Sequence, residues 1–110
     1  MNNSILVTIK GLLDISEEQT EFDDAIIVGI NTALSSLVQL GIGPSEGFCI
    51  KGKEEEWASI TGDSNRLQMV VSYVHLKVKL LFDPPSNSSL LQAIKEQINE
   101  LEWRLSLLEN

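Results

Sequence analysis

From Leu91 onward, the apolar residues Leu91, Ile94, Ile98, Leu101, Leu105 and Leu108 are spaced 3, 4, 3, 4 and 3 apart. That spacing is the a/d seam of a helix, which must bury one face against other helices. Glu100 and Arg104 add a favourable i, i+4 pair. Asp83-Pro84-Pro85 lies upstream, and two prolines end any helix that reaches them. Ser86-Asn87-Ser88-Ser89 then offers several N-caps, and Ser89 with Gln92 reads as a capping box. The seam has two possible destinations. It packs inside its own chain, or, after the rigid Pro-Pro joint, the helix (about residues 87–108) projects toward another chain. Trp103 lies off the seam, and tryptophan is enriched where proteins meet.

A second helix is predicted from the stripe Phe22, Ile26, Ile30, Ala33, Leu37 and Leu40, with another edge at Ile27, Leu34 and Val38. Thr20-Glu21-Phe22-Asp23 reads as its capping box, and Glu17, Glu18, Glu21, Asp23 and Asp24 suit the positive end of its dipole. Gly41 is expected at C′, and Pro44 forbids a quick return to helix. Before this helix, Ile5, Ile9, Leu12 and Leu13 have helical spacing in a short first segment. An acidic link, Asp14 to Glu21, follows it without Gly or Pro.

Residues 43–53 read as a short extended loop or hairpin, in which Phe48-Cys49-Ile50-Lys51 forms a strand bracketed by Gly47 and Gly52. Glu54-Glu55-Glu56-Trp57 then opens a short helix that ends near Thr61-Gly62. Residues 64–82 carry two patterns. Val74, Leu76, Val78 and Leu80 alternate with His75, Lys77 and Lys79, as in a strand. Leu67, Val70, Val71, Val74, Val78 and Leu81, with Met69, Tyr73, Leu76 and Leu80, give two edges of a mostly buried helix. Strands average about 5–6 residues, so the length favours helix. The fold class expected is all-α: one domain over residues 1–110, a small bundle of about four to five helices.

The 16 acidic and 8 basic residues leave a net charge of −8. An acidic surface repels phosphate backbones, so no nucleic-acid specificity and no binding to an anionic membrane are expected. No apolar run approaches the roughly 18 residues of a membrane span. Met1-Asn2-Asn3-Ser4 carries no basic leader, so a cytoplasmic origin is the expectation. Cys49 is the one cysteine, which excludes an internal disulfide.

No catalytic group, cofactor or metal site is expected. His75 is the single histidine, and neither a nucleophile pair nor a zinc site can be built around it from sequence. Cys49, between Phe48 and Ile50, is expected to pack in the core. The clusters Glu17-Glu18, Asp23-Asp24 and Glu54-Glu55-Glu56 lack the alternating oxygen ligands of a calcium loop and suit helix N-termini. Gly41-Ile42-Gly43-Pro44 follows a helix rather than a strand, so it reads as a helix stop, not a phosphate loop.

Three strings carry a family likeness: Gln39-Leu40-Gly41-Ile42-Gly43-Pro44, then Tyr73-Val74-His75-Leu76-Lys77-Val78-Lys79-Leu80-Leu81-Phe82-Asp83-Pro84-Pro85, then Glu100-Leu101-Glu102-Trp103-Arg104-Leu105. From about Ile5 to Leu105 the chain resembles the head–tail connector proteins of tailed bacteriophages and prophages, also called adaptor or head-completion proteins. The resemblance implies an all-helical protomer, and therefore helix over residues 64–82. It implies a homo-oligomeric ring of about a dozen copies in the virion neck, made in the bacterial host cytoplasm. The ring would dock on the portal, meet a downstream neck or stopper protein, and let DNA pass through its hole. Acidic residues lining that hole would repel the duplex and let it slide, a hypothesis that a strongly basic lumen would refute.

The surfaces expected to meet partners are two. One is the loop after the second helix, with Gln39, Gly41, Gly43, Pro44 and Phe48, extended enough to reach a neighbour. The other is the last helix, with Leu101, Trp103, Arg104, Leu105 and Leu108. The competing reading is a small acidic helical adaptor or regulator that dimerises through the seam, so that Leu101→Asp dissolves the dimer. An enzyme would need a convergent polar pocket, and the sequence supplies none.

Overall fold

Ser4 starts the first helix: its hydroxyl accepts the Val7 amide at 3.3 Å, and α1 runs Ile5–Leu12. The computed structural model describes the backbone of residues 3–62 and 64–109, and their side chains except at 64, 108 and 109. α1 closes with two backbone bonds, Asp14 N–H to Gly11 C=O at 3.1 Å and Ile15 N–H to Lys10 C=O at 2.8 Å. That is a Schellman turn, whose C′ residue must be left-handed. Asp14 fills this place with φ 62°.

Lys10 sets the course of the acidic link. It is 2% exposed, and its ammonium donates to Gln19 C=O at 2.7 Å and Glu17 C=O at 3.2 Å and pairs with Asp23 at 2.8 Å. Two backbone carbonyls accept from it and a carboxylate lies beside it, which is what makes a buried ammonium tolerable.

α2 runs Asp23–Gln39 and is capped differently from the sequence expectation. Phe22 stands at the N-cap with no side-chain cap bond. Thr20 instead offers its carbonyl, which accepts the Asp23 N–H at 3.1 Å. The link carbonyls drawn to Lys10 hold the chain ahead of the helix, so the start falls later than the capping box suggests. The C-terminus agrees with the sequence. Gly41 N–H reaches Val38 C=O at 2.9 Å, Ile42 N–H reaches Leu37 C=O at 2.9 Å, and Gly41 has φ 86°. Leu37 and Ile42 are both buried, the apolar contact that accompanies this turn.

Residues 64–82 are helix: α3 spans Ser64–Phe82 and packs against α1, α2 and α4. Val70, Tyr73, Val74 and Val78 are fully buried on it. After the Pro-Pro turn, Asn87 rather than Ser89 is the cap. Its Oδ1 accepts the Leu90 N–H at 3.0 Å, and α4 runs Ser88–Glu109. Ser89 is then already inside the first turn. α4 lies along α3, with Ile94, Ile98, Leu101 and Leu105 buried between them. Each such side chain contributes roughly 1.5–3 kcal/mol of apolar burial.

Among the described residues there is no strand. Phe48–Lys51 forms none; the one bridge is antiparallel, Ser4 with Glu56. Ile5 N–H bonds Glu55 C=O at 3.1 Å and Trp57 N–H bonds Asn3 C=O at 3.1 Å, tying the start of α1 to residues 55–57. The short helix expected at 54–61 is a single 3₁₀ turn, Trp57–Ser59. Trp57 is buried, and its indole N–H donates to Thr8 Oγ1 at 3.1 Å. The bundle therefore has four α-helices among the described residues, with one long irregular loop between α2 and α3.

Candidate assembly surfaces

The loop after α2 is anchored at both ends. Ile42 and Ile50 are buried. Asn31 on α2 holds Ile50 with two bonds: Asn31 Nδ2 donates to Ile50 C=O at 3.0 Å, and Ile50 N–H donates to Asn31 Oδ1 at 2.8 Å. Further on, the Glu55 carboxylate accepts the N–H groups of Lys51 at 2.9 Å and Gly52 at 3.3 Å. Burial works to raise the Glu55 carboxyl, but these backbone donors outweigh it and hold the group below the usual carboxylate range.

The part able to reach outward is therefore the tip, residues 43–49, rather than the whole segment to Lys53. Gly43 and Gly47 have φ 97° and 92°, conformations that favour glycine. Gln39, Gly41 and Gly43 are exposed there, while Pro44 and Phe48 are half-buried and Phe48 packs against the core. Cys49 is exposed, which corrects the core placement expected for it. Ile50, the next residue, is the one that turns inward. A shallow hollow of about 470 Å³ lies between this tip and α2, bordered by Asn31, Ser35 and Val38.

On α4 the expected residues divide. Leu101 and Leu105 are 5% and 0% exposed, in the core against α3. Trp103 is 63% exposed, and Arg104 pairs with Glu100 at 3.4 Å on the surface. The Leu108 side chain lies outside the described residues. The dimer reading needs a free seam, and in this fold α3 already covers it. A part-buried polar contact ties the two helices: Tyr73 Oη donates to Glu102 Oε2 at 2.7 Å, while Lys77 Nζ sits 5.7 Å from the Tyr73 ring centre. Burial, followed by the Glu102 hydrogen bond, pushes the Tyr73 pKa far above the ordinary tyrosine value.

The sequence reading missed a third surface. Phe22 and Phe82 meet edge to face at 5.5 Å, joining the start of α2 to the end of α3. Beside them lies an apolar groove of about 420 Å³ lined by Ala25, Val28, Gly29, Thr32, Leu81 and Phe82. Val28 and Leu81 are 66% and 62% exposed. Val28 belongs to neither predicted stripe of α2, and that was the one signal available.

Candidate chemistry stays dispersed. His75 is half-buried; burial first, and then the Lys79 charge, lower its pKa, so the imidazole is neutral near pH 7. Among the described residues no three His, Cys, Asp or Glu side chains are grouped to hold a metal, and no helix is long and apolar enough to cross a membrane.

The fold is thus a small all-α protomer whose seam is internally covered and whose outward features are a loop tip and exposed apolar side chains, the kind of surface through which proteins meet partners. Residues 5–110 match the family model described as phage connector protein. The chain belongs to that family, and so to the structural proteins of the phage head–tail junction. Comparison with curated proteins found no match, and comparison with solved structures found none.

Proposed function

We propose that this chain is a ring-forming subunit of the phage neck, docked beneath the portal, with DNA passing through the central hole. The family match over residues 5–110 carries this reading. The fold supports it, since the seam is already covered and Trp103 with Arg104 on α4 and the tip at residues 43–49 are left outward. In this reading Gln39, Gly41, Gly43, Pro44 and Phe48 form one contact region. Trp103 and Arg104 form the other, supported from within by Leu101 and Leu105. The partners are about eleven further copies of the chain, the portal, and a downstream neck or stopper protein. The role needs no catalytic group, cofactor or metal.

Size-exclusion chromatography with light scattering tests it directly. The purified chain mixed with its matching portal should elute as one complex, heavier than the portal by about a dozen chains. A portal that elutes unchanged beside free chain would refute the reading.

A further inference from the structure

We infer that α4 is a hinged arm: it opens as one unit about residues 83–87 while α1, α2 and α3 stay folded together. The inference stands apart from the ring reading, because it concerns the single chain.

α4 is held from one side. Among its described side chains, Ile94, Ile98, Leu101 and Leu105 are buried, and the helix packs along α3. They form a single stripe on a helix of 22 residues. Off that stripe, Leu90, Trp103 and Leu107 are 51%, 63% and 53% exposed. The Tyr73–Glu102 hydrogen bond at 2.7 Å adds a polar tie to α3.

The other three helices are fastened to one another without α4. Ile5 and Ile9 of α1, Ile26 and Ile30 of α2, and Val78 of α3 are fully buried. Val78 faces α2 at Gly29, its methyl 3.5 Å from the position a β-carbon would take. Lys10 joins α1 to the Asp23 carboxylate of α2 at 2.8 Å. Asn31 of α2 holds Ile50 in the long loop, and the Trp57 indole and the Ile5 N–H tie that loop to α1. None of these ties passes through α4, so its departure leaves them in place.

The joint leaves α3 and α4 independent. Pro84 and Pro85 have no N–H to donate across the turn. The backbone bonds at its ends each stay within one helix: Asp83 N–H to Lys79 C=O at 2.8 Å, and Leu91 N–H to Asn87 C=O at 3.0 Å. Asn87 Oδ1 caps α4 through the Leu90 N–H, so the cap travels with the arm. Apart from half-buried Pro85, residues 83–87 are exposed. An element held by few buried apolar contacts opens at a lower free energy than the whole chain. The part that moves carries Trp103 and Arg104, so a partner that meets this region can reposition it against α1–α3.

Native-state amide exchange in a urea series tests the arm, on purified chain diluted until it sediments as a monomer. The amides of Ile98, Leu101 and Leu105 should share one opening, at least about tenfold less protected than Ile30 and Val74 and with a shallower urea dependence. Asn31→Ala loosens the α1–α3 part alone. It should speed exchange at Ile30 by about thirtyfold or more and leave the three α4 amides unchanged. Tyr73→Phe removes the bond to Glu102 and should speed those three by about tenfold. Equal protection and urea dependence in α4 and α2 would overturn the arm. So would acceleration of the α4 amides by Asn31→Ala, no response of them to Tyr73→Phe, or protection that falls off residue by residue from the C-terminus.

Discussion

The side-chain amide of Asn31 closes a two-bond ring on the backbone of Ile50, at 3.0 Å from Nδ2 to the carbonyl and 2.8 Å from the N–H to Oδ1. A helix side chain thus does what a partner strand does in a sheet, serving both backbone groups of one residue. The pair fixes where the loop after α2 returns to the body, and so how far its tip can reach.

Asn31→Ala should leave both Ile50 groups without protein partners. The expected loss is about 2–3 kcal/mol, from two hydrogen bonds and partial desolvation. Urea unfolding should show a lower midpoint at unchanged slope, and amide exchange should rise first at Ile50. An unchanged midpoint would mean that the pair does not hold the loop.

Tyr73 makes stability fall at alkaline pH. Burial and the Glu102 hydrogen bond raise its pKa, so the folded chain holds the phenolic proton more tightly than the unfolded chain. Its contribution is complete below roughly pH 10, the ordinary tyrosine value, and declines as pH rises above it. Tyr73 is the one tyrosine, so phenolate absorbance reports it alone. Ionisation should begin above the ordinary range and coincide with unfolding. Tyr73→Phe should cost about 1–2 kcal/mol near neutral pH and remove this part of the alkaline decline.

The periodic parts of the fold were legible in the sequence, and so was the stop at Gly41. The stop after α1 was hidden because Asp14, not glycine, takes the left-handed position. The caps were displaced for local reasons: Lys10 holds the link ahead of α2, and Asn87 precedes Ser89 as the donor-free side-chain oxygen nearest the turn. Phe48–Lys51 looks like a strand because Ile50 does satisfy its backbone in a strand-like manner, but with Asn31, nineteen residues away in the chain. Of the candidate surfaces, Trp103 was visible because it breaks the heptad. The α2–α3 groove was not, since it exists only where two helices meet at a glycine.

Asp14→Gly should stabilise the chain, because glycine adopts φ 62° without a Cβ clash. Greater freedom in the unfolded chain offsets part of the gain, leaving about 0.5 kcal/mol. A thermal melt should show a small rise in midpoint, and a fall would mean that the Asp14 side chain has a role of its own.

Leu101→Asp distinguishes the buried seam from a shared one. Leu101 is 5% exposed, so a carboxylate there should cost about 3–5 kcal/mol and lower the unfolding midpoint of the single chain. Were the seam intermolecular, the same change would split a dimer and leave each chain folded. Circular dichroism beside sedimentation separates the two outcomes.

The central claim is that this connector-family chain works as a ring on the portal. Electron microscopy of the matching portal incubated with the purified chain tests it most directly. A ring-forming neck subunit should add a ring of density coaxial with the portal. Portal particles without added density, at chain concentrations well above saturation, would contradict it.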